Sequence, residues 1–159
     1  MTSGSRETGA DYLVRKSDLA KTRKDLPAYK DILIVEDETM DANRLVATLR
    51  SMFGYELRVR RASTLSKAVD MVLERQPELI LLDDWLKPVD RATDSLPMLR
   101  RANFTGPIVI ISGELNRDRR KLLLGKGATD TIHKDELNSV AIAEMLTRIR
   151  TTTPNASAT

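Results

Sequence analysis

The sequence predicts an α/β domain built on a doubly wound, five-stranded parallel sheet with strands in the order 2-1-3-4-5. Three observations carry that expectation. Four short runs have strand length: residues 32–35, 79–82 and 108–111 are wholly Ile, Leu and Val, and 131–133 is Thr-Ile-His. Segments with helical spacing separate them, which makes the strands parallel and joined by crossovers. Each run also ends in polar residues of a different kind: Glu36-Asp37-Glu38, Asp83-Asp84, Ser112-Gly113 and Lys134. Parallel strands put their C-terminal ends on one edge, where open α/β sheets bind ligands. Acids, a hydroxyl and an ammonium therefore converge on one rim, a site for a divalent cation and a phosphoryl group.

The elements follow in order. Residues 1–10 are small and polar and are expected to lack structure. A helix is expected over 11–26, with Leu13, Leu19 and Leu26 near one stripe and Pro27 ending it. Strand 1 is expected at 32–36. Helix 1, at 40–53, turns Leu45, Val46, Leu49 and Met52 inward and stops at Gly54. Strand 2, at 55–60, alternates apolar and charged residues, as a half-exposed edge strand does. Helix 2 runs from a cap at Thr64 to Arg75, with Leu65, Ala68, Val69 and Val72 on one face. Strand 3, at 79–83, is apolar before its acids and so is buried on both faces. Helix 3 is expected at 95–102 with Pro97 in its first turn. Strand 4 falls at 107–112, helix 4 at 116–125 ahead of Gly127, strand 5 at 130–134 and helix 5 at 137–150. The organisation is thus an N-terminal, partly helical extension (1–29), a core domain (30–150) and a polar tail (151–159).

Composition narrows the function classes. With no cysteine there is no disulfide framework and no thiolate metal site. The longest apolar runs fall far short of the ~20 residues that cross a bilayer, and the polar start carries no secretory stretch. A cytoplasmic protein without membrane association is expected. Residues 1–30 carry seven Lys/Arg against four acids, so the remaining 19 basic and 19 acidic residues balance. A nucleic-acid-binding domain concentrates positive charge on its folded face, and this one does not. No nucleic-acid partner is expected.

The rim acids come next. Carboxylates crowded at strand ends repel one another, so they raise a pKa or recruit a cation. An all-oxygen set suits Mg²⁺. Asp37 and Asp83 are the expected direct ligands, and Glu36 acts directly or through water. Glu38 reads as an early-turn acid of helix 1. Side chains alternate along a strand, so only one of Asp83 and Asp84 can aim at the metal.

The 32–38 segment, the 77–83 stretch Pro-Glu-Leu-Ile-Leu-Leu-Asp, Ile111-Ser112-Gly113 and Gly127-Ala128-Thr129-Asp130 with Lys134 together resemble the receiver domain of two-component response regulators, a CheY-like fold, across residues 31–150. The resemblance implies that Asp83 accepts a phosphoryl group from a sensor histidine kinase or a histidine phosphotransfer protein, with Mg²⁺ as cofactor. It also implies that the backbone carbonyl of Trp85 joins Glu36, Asp37 and Asp83 around the metal. Lys134, Ser112 and the Gly113 N–H then pair with the phosphoryl oxygens. Such transfer needs positioning and charge neutralisation more than covalent activation. On this reading the chain is a stand-alone receiver that catalyses only its own phosphorylation and dephosphorylation and is otherwise not an enzyme. It signals by protein contact, and a homodimer is one possible assembly. The alternative is a receiver-like scaffold that works without phosphate.

The chain departs from the family pattern at several positions. The family's proline four residues after the acceptor is Lys87, and Pro88 comes one later; counting back from Pro88 selects Asp84. Thr131 stands where many receivers carry an aromatic that moves on phosphorylation. Asp135 replaces the proline after the lysine, and Ser112 replaces the commoner threonine. His133, the sole histidine, reads as a strand residue facing a helix or solvent. The basic clusters Arg58/Arg60/Arg61 and Arg117/Arg119/Arg120/Lys121 read as solvated faces, the second adjoining the surface expected to move.

Overall fold

The computed structural model describes residue 26 and residues 28–152. Its elements are β1 (Asp31–Val35), α1 (Thr39–Phe53), β2 (Arg58–Ala62), α2 (Leu65–Glu74), β3 (Leu79–Asp83), two short strands β4 (Trp85–Leu86) and β5 (Asp90–Arg91), α3 (Ala92–Arg101), β6 (Ile108–Ser112), α4 (Arg117–Gly125), β7 (Asp130–His133) and α5 (Ser139–Thr152). The long strands form a parallel sheet in the order β2-β1-β3-β6-β7, which is the expected 2-1-3-4-5 once the β4–β5 hairpin is set aside. The helix expected over 11–26 lies outside the described residues except for Leu26, and so does the tail beyond Thr152.

β1, β3 and β6 are buried at every position, because helices cover both faces of a parallel sheet. Alternation divides their side chains. Ile34, Leu81 and Ile111 pack toward α1 and α5, against Leu45, Leu49 and Ile142 among others. Leu33, Leu82 and Ile110 pack toward α2, α3 and α4, against Val72, Leu96 and Leu123. Registers of Val35 with Leu82, Asp83 with Ile111 and Ser112 with His133 fix how the strand ends line up.

Two elements differ from expectation. β2 begins at Arg58 rather than at Tyr55, which stands 87% exposed. The apolar–charged alternation misplaced it because Arg60 and Arg61, unlike the exposed Arg58, are half-buried and paired rather than solvated. Arg60 bridges Asp31 at 3.1 Å and reaches the carbonyl of Arg75 at 2.8 Å. α3 begins at Ala92, which puts Pro97 inside the helix rather than in its first turn. The start is set by the strand exit: the Ala92 amide donates to the Asp84 carbonyl at 2.8 Å, and the β4–β5 hairpin brings the chain back to that point. Gly54 (φ 87°) and Gly127 (φ 111°) follow α1 and α4 in the left-handed region, where a side chain is strained.

Candidate functional site

The register decides which rim residues share a face. Glu36 follows the Val35–Leu82 pair, so it lies beside Asp83, on the α1/α5 side of the sheet. Lys134 is two residues past Ile132, which packs on that same side. Ser112 has the parity of Ile110 and lies beside Asp84, on the α3/α4 side. A shift of one residue along a strand reverses the face, so Asp83 and Asp84 enter different surroundings.

On the first side, Glu36, Asp37 and Asp83 bring one carboxylate oxygen each within 4.8 Å of the others. Glu36 and Asp83 are buried, 6% and 7% exposed. The Lys134 ammonium lies 3.3 Å from Glu36 Oε1, 3.4 Å from Asp41 Oδ2 and 3.7 Å from Asp83 Oδ2. One cation thus faces three carboxylates, with Asp37 beside them, and Glu36 Oε2 is buried without a hydrogen-bond partner. Burial first, and then the neighbouring Asp83, push the Glu36 carboxyl from 4.5 up to about 8, against the pull of Lys134. Burial alone would lower the Lys134 pKa, but Asp83, Glu36 and Asp41 outweigh it and leave it raised. Lys134 opens a short 3₁₀ turn, Lys134–Glu136, rather than ending the strand. His133 caps that turn, its Nδ1 accepting from the Asp135 amide at 3.1 Å.

On the second side every charge is balanced. Asp84 is 3% exposed; it accepts from the Ser112 hydroxyl at 2.8 Å and from Arg119 Nε at 3.1 Å. A second Arg119 nitrogen bonds its other oxygen, and Arg91 Nη2 lies 3.9 Å away. Burial raises the Asp84 carboxyl, but Arg119 and Ser112 outweigh it and leave the pKa below the ordinary value. The Ser112 hydroxyl, expected to address a group on Asp83, is therefore directed to Asp84 instead.

The faces meet at a cleft of about 370 Å³ lined by Asp37, Asp83, Trp85, Ser112, Gly113 and Lys134, among others. Trp85 follows the acids in β4, and its amide lies 3.4 Å from Asp83 Oδ1. Glu38 is the residue preceding α1, its carboxylate exposed and 3.4 Å from Lys87.

Three participants lay outside the sequence reading. Arg61 donates to the carbonyls of Glu36 and Asp37, both at 3.0 Å, and so ties down the loop that carries them. Asp41, in the first turn of α1, shares Lys134. Arg119 gave no signal, since it sits in a run of basic residues. Its neighbour Arg120 is also committed, at 3.3 Å from Asp130.

Known proteins share this fold. The family model described as the response regulator receiver domain matches residues 32–150. A curated relative, the nitrogen assimilation regulatory protein NtrX of Azorhizobium caulinodans, is 36% identical over 106 residues, which cover 65% of this chain and 22% of that protein. The matching region is thus about a fifth of the relative's length. Among solved structures, NtrX from Brucella abortus in complex with ATP is 26% identical with a TM-score of 0.66, covering 79% of this chain and 28% of that one. The BeF3-activated N-terminal receiver domain of RstA from Klebsiella pneumoniae is 26% identical with a TM-score of 0.63, covering 75% and 97%. Among the described residues, no helix is long and apolar enough to cross a membrane.

Proposed function

Since this chain belongs to the response regulator receiver domain family, we propose that residues 30–150 form a phosphoryl switch whose acceptor is Asp83. Its phosphoryl donor is a phosphohistidine on a sensor histidine kinase or a histidine phosphotransfer protein. One observation carries the choice of residue: Asp83 shares the cation-deficient face with Glu36, Asp37 and Lys134, whereas both oxygens of Asp84 are already engaged.

The residues fit a hard divalent cation. Three carboxylates stand within 4.8 Å of one another, and the buried Glu36 Oε2 lacks a partner that a cation or its water would supply. Glu36, Asp37, Asp83 and the Trp85 carbonyl would hold Mg²⁺, which when bound offsets the negative charge of the phosphoryl oxygens. An Asp83 oxygen attacks phosphorus in line. The oxygen–phosphorus bond forms as the phosphorus–nitrogen bond breaks, and the electron pair stays on the imidazole nitrogen, which takes a proton from solvent. Lys134 exchanges part of its carboxylate contacts for a phosphoryl oxygen. The Gly113 N–H and the Ser112 hydroxyl serve another oxygen, the hydroxyl after leaving Asp84. The domain catalyses this transfer and the return hydrolysis of its own acyl phosphate, and it signals through protein contacts.

Incubation of the full chain with acetyl phosphate and Mg²⁺, followed by intact-mass measurement, tests this. One phosphoryl group is expected on the parent and none on Asp83→Asn. The phosphate-independent scaffold draws on the commitment of Ser112 to Asp84. It predicts no mass gain and equal partner binding by parent and Asp83→Asn.

A further inference from the structure

Asp84 fastens both ends of one loop. Ser112, the last residue of β6, donates its hydroxyl to Asp84 Oδ2 at 2.8 Å. Arg119, seven residues later in the first turn of α4, grips the same carboxylate through two nitrogens. The Asp84 amide donates to the Ile111 carbonyl at 2.9 Å, and the Asp84 carbonyl accepts from Ala92 at the start of α3. The backbone of residue 84 is thus fixed to β6 and α3, and its side chain is 5% exposed. The segment between Ser112 and Arg119 is itself exposed at Gly113, Glu114 and Asn116. Glu114 pairs with Arg91 at 3.6 Å and Leu115 packs on the core, but both ends are held by one carboxylate.

We infer that Asp84, gripped by Arg119, is a positioning residue: it withholds the Ser112 hydroxyl from the acceptor and ties the start of α4 to the state of Asp83. The inference rests on the reading of Asp83 as acceptor. When a phosphoryl group stands on Asp83, its oxygens compete for the one Ser112 hydroxyl. A phosphoryl dianion outcompetes a carboxylate already satisfied by a guanidinium. Once Ser112 turns, Asp84 keeps Arg119 alone, residues 113–116 follow the serine, and α4 shifts relative to β6. Thr131 fits this account. It is buried on β7, paired in register with Ile110 on the α4 side of the sheet, and its hydroxyl has no hydrogen-bond partner. The Thr131 hydroxyl therefore makes no polar contact with α4, whereas the Asp84 carboxylate accepts two hydrogen bonds from it.

The test uses the full chain phosphorylated with acetyl phosphate and Mg²⁺. Hydrogen–deuterium exchange is read at residues 113–121 in both states, for parent, Asp84→Ala and Arg119→Gln. In the parent, phosphorylation should change exchange there by about threefold or more, the loss of one charge-assisted hydrogen bond. Asp84→Ala frees Ser112, so phosphorylation should run about threefold faster, and the difference between the two states at 113–121 should vanish. Arg119→Gln cuts only the helix end: the difference vanishes while the phosphorylation rate stays closer to that of the parent. Because Arg119 is partly exposed, this variant carries the test should Asp84→Ala not fold. A merely structural pair would speed exchange in both states and leave the difference intact, which overturns the inference. A phosphorylated parent without any change at 113–121 overturns it as well. A parent that takes no phosphoryl group overturns the reading of Asp83, and the inference with it.

Discussion

The two faces of the rim are built from the same kinds of residue and reach opposite electrostatic ends. On the α1/α5 side, Glu36, Asp41 and Asp83 share one ammonium, Asp37 adds a further carboxylate, and one buried carboxylate oxygen is left unpaired. On the α3/α4 side, a single carboxylate meets a serine and a guanidinium, with a second arginine close by. A site with surplus charge is poised to bind a cation and react. A neutralised one holds parts in place. Adjacent residues in one strand, Asp83 and Asp84, are divided between these tasks by the alternation of the pleat.

The comparison can be broken at several points. The largest effect is expected at Lys134. Lys134→Ala removes the cation paired with Glu36, Asp41 and Asp83, and phosphorylation by acetyl phosphate should fall by about 10²-fold, measured as the rate of mass gain. Arg61→Ala comes next. Without its two backbone contacts the loop bearing Glu36 and Asp37 loosens, and Mg²⁺ affinity should drop about tenfold. Titration of Trp85 fluorescence reads this, since Trp85 is the only tryptophan and lines the cleft. Arg61→Lys keeps the charge but not the fork, so little rescue is expected.

The pH dependence should also separate the faces. Glu36, pushed up to about 8 by burial and then by Asp83, holds a proton that a cation must displace. Mg²⁺ affinity should therefore rise about tenfold per pH unit up to about 8 and then level off. The sign for stability is the reverse. A carboxyl raised from 4.5 contributes stability that is complete below 4.5 and lost as pH rises toward about 8. Without divalent cation, the melting temperature should decline across that window, and Glu36→Gln should remove the decline. The smallest effect is expected from Glu38→Gln. That carboxylate is 55% exposed and paired to Lys87 at 3.4 Å, and exposed pairs contribute about 0–1 kcal/mol. Mg²⁺ affinity should change less than about twofold; a larger loss would extend the reactive set beyond the three clustered acids.

The topology was legible because it rests on repeated, redundant signals. Three strands with unbroken apolar runs allow one reading only, and the polar residue at each end follows from the strand itself. What escaped detection depends on tertiary partners. Arg60, Arg61, Arg119 and Arg120 look alike in sequence, yet each is committed to a carboxylate or a carbonyl far along the chain. The start of α3 was lost because it is set by a hydrogen bond from Ala92 back to Asp84, not by a local cap. That one of the paired acids faces the carboxylate cluster followed from alternation. Which face Ser112 takes required the register of β6 against β3.

Borohydride reduction of the phosphorylated chain, followed by peptide mass spectrometry, tests the division of labour most directly, because reduction of an aspartyl phosphate leaves homoserine at the acceptor. The account predicts homoserine at position 83 with Asp84 unchanged. Homoserine at position 84 would contradict it.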